Sequence, residues 1–215
     1  MSQNVKMVIL EQNMVVKSSK FKIVANAIFN KYKEQKMKNI NELKQQLQKG
    51  KKFNYLFFWG HRQKIEGVVD KSCFSQWFPI GFTIDEVYYK TAEHYMMAEK
   101  ARLFDVSMVD KILKASSPNE VKKLGRKVKK FDAKIWGEHA FDAVVRGNIA
   151  KFSQNHKLKQ FLLSTNNNVL VEASPYDRVW GIGMVSQDER ASNPLKWNGE
   201  NKLGFALMVV RDAIK

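Results

Sequence analysis

The sequence predicts an α+β fold in which helix outweighs strand, built as one domain behind a basic N-terminal extension. Three observations lead there. Apolar residues recur at helical spacing over several segments, a few short aromatic or β-branched runs read as strands, and the first quarter of the chain differs in texture from the rest. Residues 1–52 carry twelve lysines and three glutamates (Glu11, Glu34 and Glu42), so they hold +9 of the net +16. They contain no Trp, one tyrosine (Tyr32) and one glycine (Gly50). Segments 20–33 and 36–49 within them read as short helices. The domain proper is expected over 53–215.

From Phe53 the elements follow in order. "FNYLFFW" (53–59) is an aromatic run bounded by charge and Gly60, which predicts a strand. "FTIDEVYY" (82–89) reads as two short strands around Asp85–Glu86. A helix starts near Thr91, which is suited to cap it. In "SPNEVKKLGRKVKKF", Ser117 caps, Pro118 takes the first helical position and Glu120 completes a capping box. A long helix is expected over roughly 132–152 and another over 156–164. "VLVEA" (169–173) is a buried-strand candidate, and "SPYDRVWGIG" (174–183) is a loop. Leu203, Leu207, Val210 and Ile214 then place one buried stripe on a final helix.

Composition bounds the function. A 44% hydrophobic content in 215 residues supports a real core. One cysteine, Cys73, excludes an internal disulfide framework. His61, His94, His139 and His156 lie too far apart for a Cys/His metal motif, so no metal or cofactor is expected. The N-terminus has no apolar run long enough for a signal peptide or a membrane span, which predicts a soluble, cytoplasmic protein without membrane association. A charge of +16 concentrates anions, nucleic acid or phosphorylated metabolites among them. It also serves plain solubility. Lysine in place of arginine argues against base-specific reading, which uses the bidentate guanidinium.

"TAEHYMMAEKARLF" (91–104) sets an acid and an amine on the same helical side. Positions 93, 97 and 100 share a face, and Glu93 and Lys100 stand about 10 Å apart along the axis. A sugar fits that gap. Equally, an acid in a first turn is favourable by itself. Glu99 is expected to face solvent. Glu172 sits in an apolar strand, where a lone carboxylate is costly unless paired or used. Asp177 and Arg178 follow a Ser–Pro turn and precede Trp180–Gly181, where a glycine beside an indole lets a flat ligand approach the backbone. Each also has a structural use, Asp177 as a turn cap and Trp180 as core. Ser75 and Gln76 read as exposed polar groups beside Trp77, an indole able to stack on a base. Arg146 and Lys151 could hold phosphate or favour a helix C-terminus, and the second reading is preferred. No phosphate-cradling glycine loop, nucleophile elbow or zinc motif is present.

Taken together, Phe74–Trp77, Ala92–Tyr95, Ala98–Lys100, Ala150–Phe152, Val171–Glu172, Asp177–Gly181 and Asn201–Gly204 resemble the NADAR family, also called YbiA-like. Order and spacing agree over seven segments, from about Tyr55 to the C-terminus. Two departures stand out: Asp85–Glu86 where the family pattern has Asp-Gly, and the insertion "HRQKIEGVVDKS" (61–72). The resemblance implies a YbiA-like domain that hydrolyses N-glycosidic bonds. It implies as substrate either ADP-ribose on guanine bases in nucleic acid or phosphoribosylamino-pyrimidine intermediates of riboflavin biosynthesis. It also implies roles. Glu93 would be the carboxylate that transfers protons, and its first-turn position is expected to lower its pKa, which suits a base more than an acid. Lys100 would form a Schiff base or position the substrate, and Asp177 would orient ribose or water. Trp77 and Trp180 would wall the base, Arg146 or Arg178 would meet phosphate, and Ser75, Gln76, Glu172 and Gly181 would complete the binding surface. The alternative is a non-catalytic nucleic-acid-binding protein that uses its basic N-terminal region. Oligomeric state is not legible.

Overall fold

The computed structural model describes Met37 and residues 39–215, so the helix expected over 20–33 lies outside the described residues. Seven α-helices and four short strands are present among the described residues. Helix α1 (Ile40–Gln48) starts at Asn39, whose side chain accepts from the Glu42 N–H. Leu43 of α1 is fully buried in the common core. Helix α1, which falls within the basic segment before Phe53, thus packs on that core.

Strand β1 (Tyr55–Phe58) pairs in parallel with β4 (Val169–Glu172), in a register that sets Phe58 beside Glu172. Strands β2 (Phe82–Ile84) and β3 (Val87–Tyr89) form a hairpin. Its two turn residues, Asp85 (φ 49°) and Glu86 (φ 66°), both occupy the left-handed region. That is the backbone of the tight turn favoured by right-twisted strands, for which Asp-Gly is the usual solution. Asp tolerates it, and Glu86 carries the strain.

Helix α2 (Ala92–Phe104) begins at Thr91, whose hydroxyl accepts from the His94 N–H. His94 is buried, between the Thr91 hydroxyl and the Ala115 carbonyl. Helix α3 (Val109–Lys114) has no counterpart in the sequence reading, because six residues are too few to repeat an apolar period. Helix α4 (Pro118–Gly125) is capped by Ser117 with Pro118 in its first turn. The reciprocal half of its capping box lands one residue early: Glu120 accepts from the N–H and hydroxyl of Ser116. Helices α5 (Ala133–Gln154) and α6 (His156–Ser164) follow.

Helix α7 (Lys202–Ala213) corrects the single-stripe expectation. Every residue from Leu203 to Arg211 is buried, because the helix packs between β4 and α5. Even Arg211 is enclosed, donating to Thr165 and to the Asn168 carbonyl. Asn201, left-handed at φ 55°, ties the start of α7 to β4: its side chain accepts from the Glu172 N–H and donates to the Leu170 carbonyl. Among the described residues, no helix is long and apolar enough to cross a membrane.

Candidate active site

The carboxyl ends of β1 and β4 open onto a cleft of about 650 Å³. Helix α2 supplies Glu93, Met96, Met97 and Lys100 to one wall, the i, i+3, i+4, i+7 set of a single face. The end of β1 adds Trp59 and His61. The end of β4 and its loop add Glu172, Tyr176, Asp177 and Trp180. Ser75, Gln76 and Trp77 come from the loop before β2, and Lys122 and Arg126 from the end of α4.

Glu93 is buried. Burial pushes its carboxyl up to about 7; Lys122 and a hydrogen bond from the Trp77 side chain oppose the rise, and Asp177 adds to it. The expectation of a lowered pKa is therefore corrected. A helix N-terminus is worth up to about 2 kcal/mol to an anion, and withdrawal from water outweighs that here. Glu172 is pushed up to about 8, first by burial and then by Asp177 and Glu93, with Lys122 opposing. Among the described residues, its buried Oε2 has no hydrogen-bond partner. The strand carboxylate that the sequence marked as costly thus faces two other acids and one cation.

Asp177 Oδ1 accepts from the Val179 N–H (2.9 Å) and the Trp180 N–H (2.7 Å). It caps the turn and lines the cleft at once. The Lys100 ammonium donates to the Gly125 carbonyl at 2.9 Å and lies 3.9 Å from the centroid of the Phe131 ring, while burial lowers its pKa. Glu99 is turned aside and pairs with Arg102.

The 73–77 loop is strapped to α5. Lys151 is fully buried and donates to the carbonyls of Cys73 (2.7 Å) and Ser75 (2.8 Å). It neither holds phosphate nor serves a helix end, the two uses weighed from sequence. Asn148 donates to the Gln76 side chain at 2.8 Å, and the Glu93 N–H donates to the Gln76 carbonyl at 2.9 Å. Gln76 is buried rather than exposed, because α5 covers it.

Glu93, Lys100, Asp177, Glu172, Trp77, Ser75, Gln76 and Trp180 are brought together in this cleft. Three of the expected residues are not. Arg146 pairs with Asp85 at 2.8 Å and lines a separate hollow beside α5. Arg178 is exposed and does not line the cleft. Gly181 lies behind the wall, where a Cβ would come within 2.8 Å of the Glu172 carbonyl oxygen. That glycine serves chain packing and not ligand approach. Lys122 and Arg126, four residues apart on and just beyond α4, face the cleft where the two arginines do not. Their spacing was readable, but the face they share was not. Trp59, His61 and Tyr176 were also missed. They follow or flank strand ends, and only the parallel pairing of β1 with β4 brings them to one mouth.

Residues 57–215 match the model of the NADAR domain. The chain is 44% identical to N-glycosidase R617 of Acanthamoeba polyphaga mimivirus, over 74% of this chain and 95% of that protein. It is 33% identical to N-glycosidase YbiA of Escherichia coli, over 67% of this chain and 81% of the relative. A riboflavin biosynthesis protein PYRR of Zea mays is 34% identical over 60% of this chain, a match that spans 20% of that protein. Among solved structures, the NMR structure of the Escherichia coli protein YbiA superposes with a TM-score of 0.60 at 28% identity, covering 74% and 83% of the two chains.

Proposed function

The chain belongs to the NADAR domain family, and from that premise we propose that it is an N-glycosidase. Its substrates are proposed to be ADP-ribosylated guanine in nucleic acid, phosphoribosylamino-pyrimidine metabolites, or both. The observation that carries this reading is the convergence of Glu93, Glu172 and Asp177 with Lys100 and Lys122 in one indole-walled cleft.

Breaking a ribose C1–N bond builds positive charge at C1 and negative charge on the departing nitrogen. Carboxylates near C1 stabilise the first, and a proton donor at the base relieves the second. Glu93, with a pKa near 7, holds or releases a proton at small cost around neutrality. Asp177 orients the ribose or a water. Trp77 and Trp180 wall the base. Lys122 and Arg126, and not Arg146 or Arg178, take the phosphate, because they share the cleft with the acids. In a covalent route Glu93 gives its proton to the ring oxygen as the furanose opens at its C1–O bond, leaving an iminium between C1 and the base nitrogen. Neutral Lys100 adds to C1, Glu93 takes the proton that the amine sheds and passes it to the departing base nitrogen, and water then hydrolyses the lysine imine to free the sugar. The lowered pKa of Lys100 favours this route, which requires its nitrogen to leave the Gly125 carbonyl. The +16 charge favours nucleic acid as substrate, since a free metabolite needs no extended basic surface.

The test is incubation with guanine-ADP-ribosylated DNA and, separately, with the phosphoribosylamino-pyrimidine. Release of ADP-ribose or ribose 5-phosphate is expected. Glu93→Gln should lower kcat by roughly 10²- to 10⁴-fold. Full turnover by that variant would remove Glu93 from the proton-transfer role. Borohydride added during turnover should trap a Lys100 adduct, and its absence, under conditions that trap a control imine enzyme, excludes the covalent route.

A further inference from the structure

Two large aromatic residues stand at the mouth of the cleft with no part in the chemistry described. Trp59 ends the β1 run and is 57% exposed, while Tyr176 follows β4 and is 87% exposed. Their ring centroids lie 6.3 Å apart with planes at 53°, and both line the same cleft as Glu93 and Asp177. Single exposed apolar residues are ordinary on protein surfaces. Two touching rings that spend most of their area on water at the rim of a charged cleft are a different case. Flat rings stack on such faces whatever their sequence identity, and the polar edges of indole and phenol keep the empty rim soluble.

We infer that Trp59 and Tyr176 form a second ring-binding subsite, which takes a flat heteroaromatic group other than the base attached at the scissile bond. The inference rests on reading the cleft as an N-glycoside site. It adds the residues that seat a ring lying beyond the base, ribose and phosphate nearest the scissile bond. Trp77 and Trp180 already wall the inner part of the cleft, so the outer pair is free for a further ring. Two sources share this chemistry: the second base of a dinucleotide-like ligand, or a neighbouring base of single-stranded nucleic acid.

The test is binding to the full chain, which needs no turnover and so stands or falls separately from the hydrolase reading. ADP-ribose, ribose 5-phosphate and a ten-nucleotide oligo-dT serve as probes, followed by calorimetry. Trp59→Ala and Tyr176→Ala should weaken ADP-ribose or the oligonucleotide by about five- to a hundredfold, the range expected for losing one stacked ring. Binding of ribose 5-phosphate should not change. Trp59→Phe and Tyr176→Phe should restore most of the affinity, which a folding defect would not allow. Loss confined to ADP-ribose assigns the ring to the small ligand, and loss confined to oligo-dT assigns it to the polymer. Equal loss for all three probes overturns the subsite. So does no loss for any, or wild-type binding of both longer probes no tighter than that of ribose 5-phosphate.

Discussion

Glu172 and Glu93 titrate late because each loses water and faces other acids, and that has a consequence for stability. An unfolded glutamate releases its proton near 4.5, whereas Glu93 holds its own to about 7 and Glu172 to about 8. Between those values the folded protein binds protons that the unfolded chain has given up. Stability contributed by these two groups is therefore complete below about pH 4.5 and is lost as pH rises through 7 to 8. Each unit of displacement corresponds to about 1.4 kcal/mol. Glu172→Gln removes the larger displacement. Relative to the wild type, its melting temperature should gain about 7–14 °C between pH 5 and pH 8, the change expected for roughly 3.5 kcal/mol in a chain of this size. Parallel melting curves across that range would show that Glu172 is not the group that titrates. Activity should pass through the same window, since Glu93 changes charge near neutrality.

At the scale of elements, the β2–β3 hairpin makes a testable claim. Glu86 is exposed and sits at φ 66°, in a backbone conformation that costs an L-residue about 1–2 kcal/mol. Glu86→Gly relieves the strain and pays part of it back as chain entropy, for a net gain of about 0.5–1 kcal/mol in chemical denaturation. A loss of stability would mean that the Glu86 side chain contributes more than its backbone costs. The same hairpin shows which features of the fold could be read in advance. Its two strands, the Thr91 cap and the Ser117–Pro118 start are written within a few residues, so local chemistry reveals them. The final helix is not local in this sense. Its stripe at Leu203, Leu207 and Val210 was legible, but its burial on every side depends on β4 and α5, more than thirty residues away. The site divides in the same way. Glu93 and Lys100 share a helical face, so their convergence followed from periodicity. Lys122, Trp59 and Tyr176 join them only through tertiary pairing, and Arg146 was lost to a partner, Asp85, sixty-one residues distant.

At the scale of the whole molecule, the uneven charge separates binding from chemistry. Residues 1–38 hold eight lysines and two glutamates, +6 of the +16, and the described residues lining the cleft run from Trp59 to Leu203. Counterions released by lysines near phosphate make affinity fall with salt, by a slope of roughly 0.7 in log–log units for each contact to a single strand. A chain beginning at Asn39 should bind oligo-dT more weakly at low salt, with a slope reduced by about 1–4, yet cleave a small N-glycoside at the full rate. Fluorescence anisotropy over a salt series reads the first quantity and steady-state kinetics the second. The point of truncation matters. A chain beginning at Lys52 also loses α1, and with it the fully buried Leu43, a large-to-nothing core deletion worth about 2–5 kcal/mol. Slower cleavage by the shorter chain, accompanied by a lower melting temperature, would report that lost packing. Slower cleavage by the Asn39 chain at an unchanged melting temperature would instead give the first thirty-eight residues a part in the reaction, and the separation of binding from chemistry would fail.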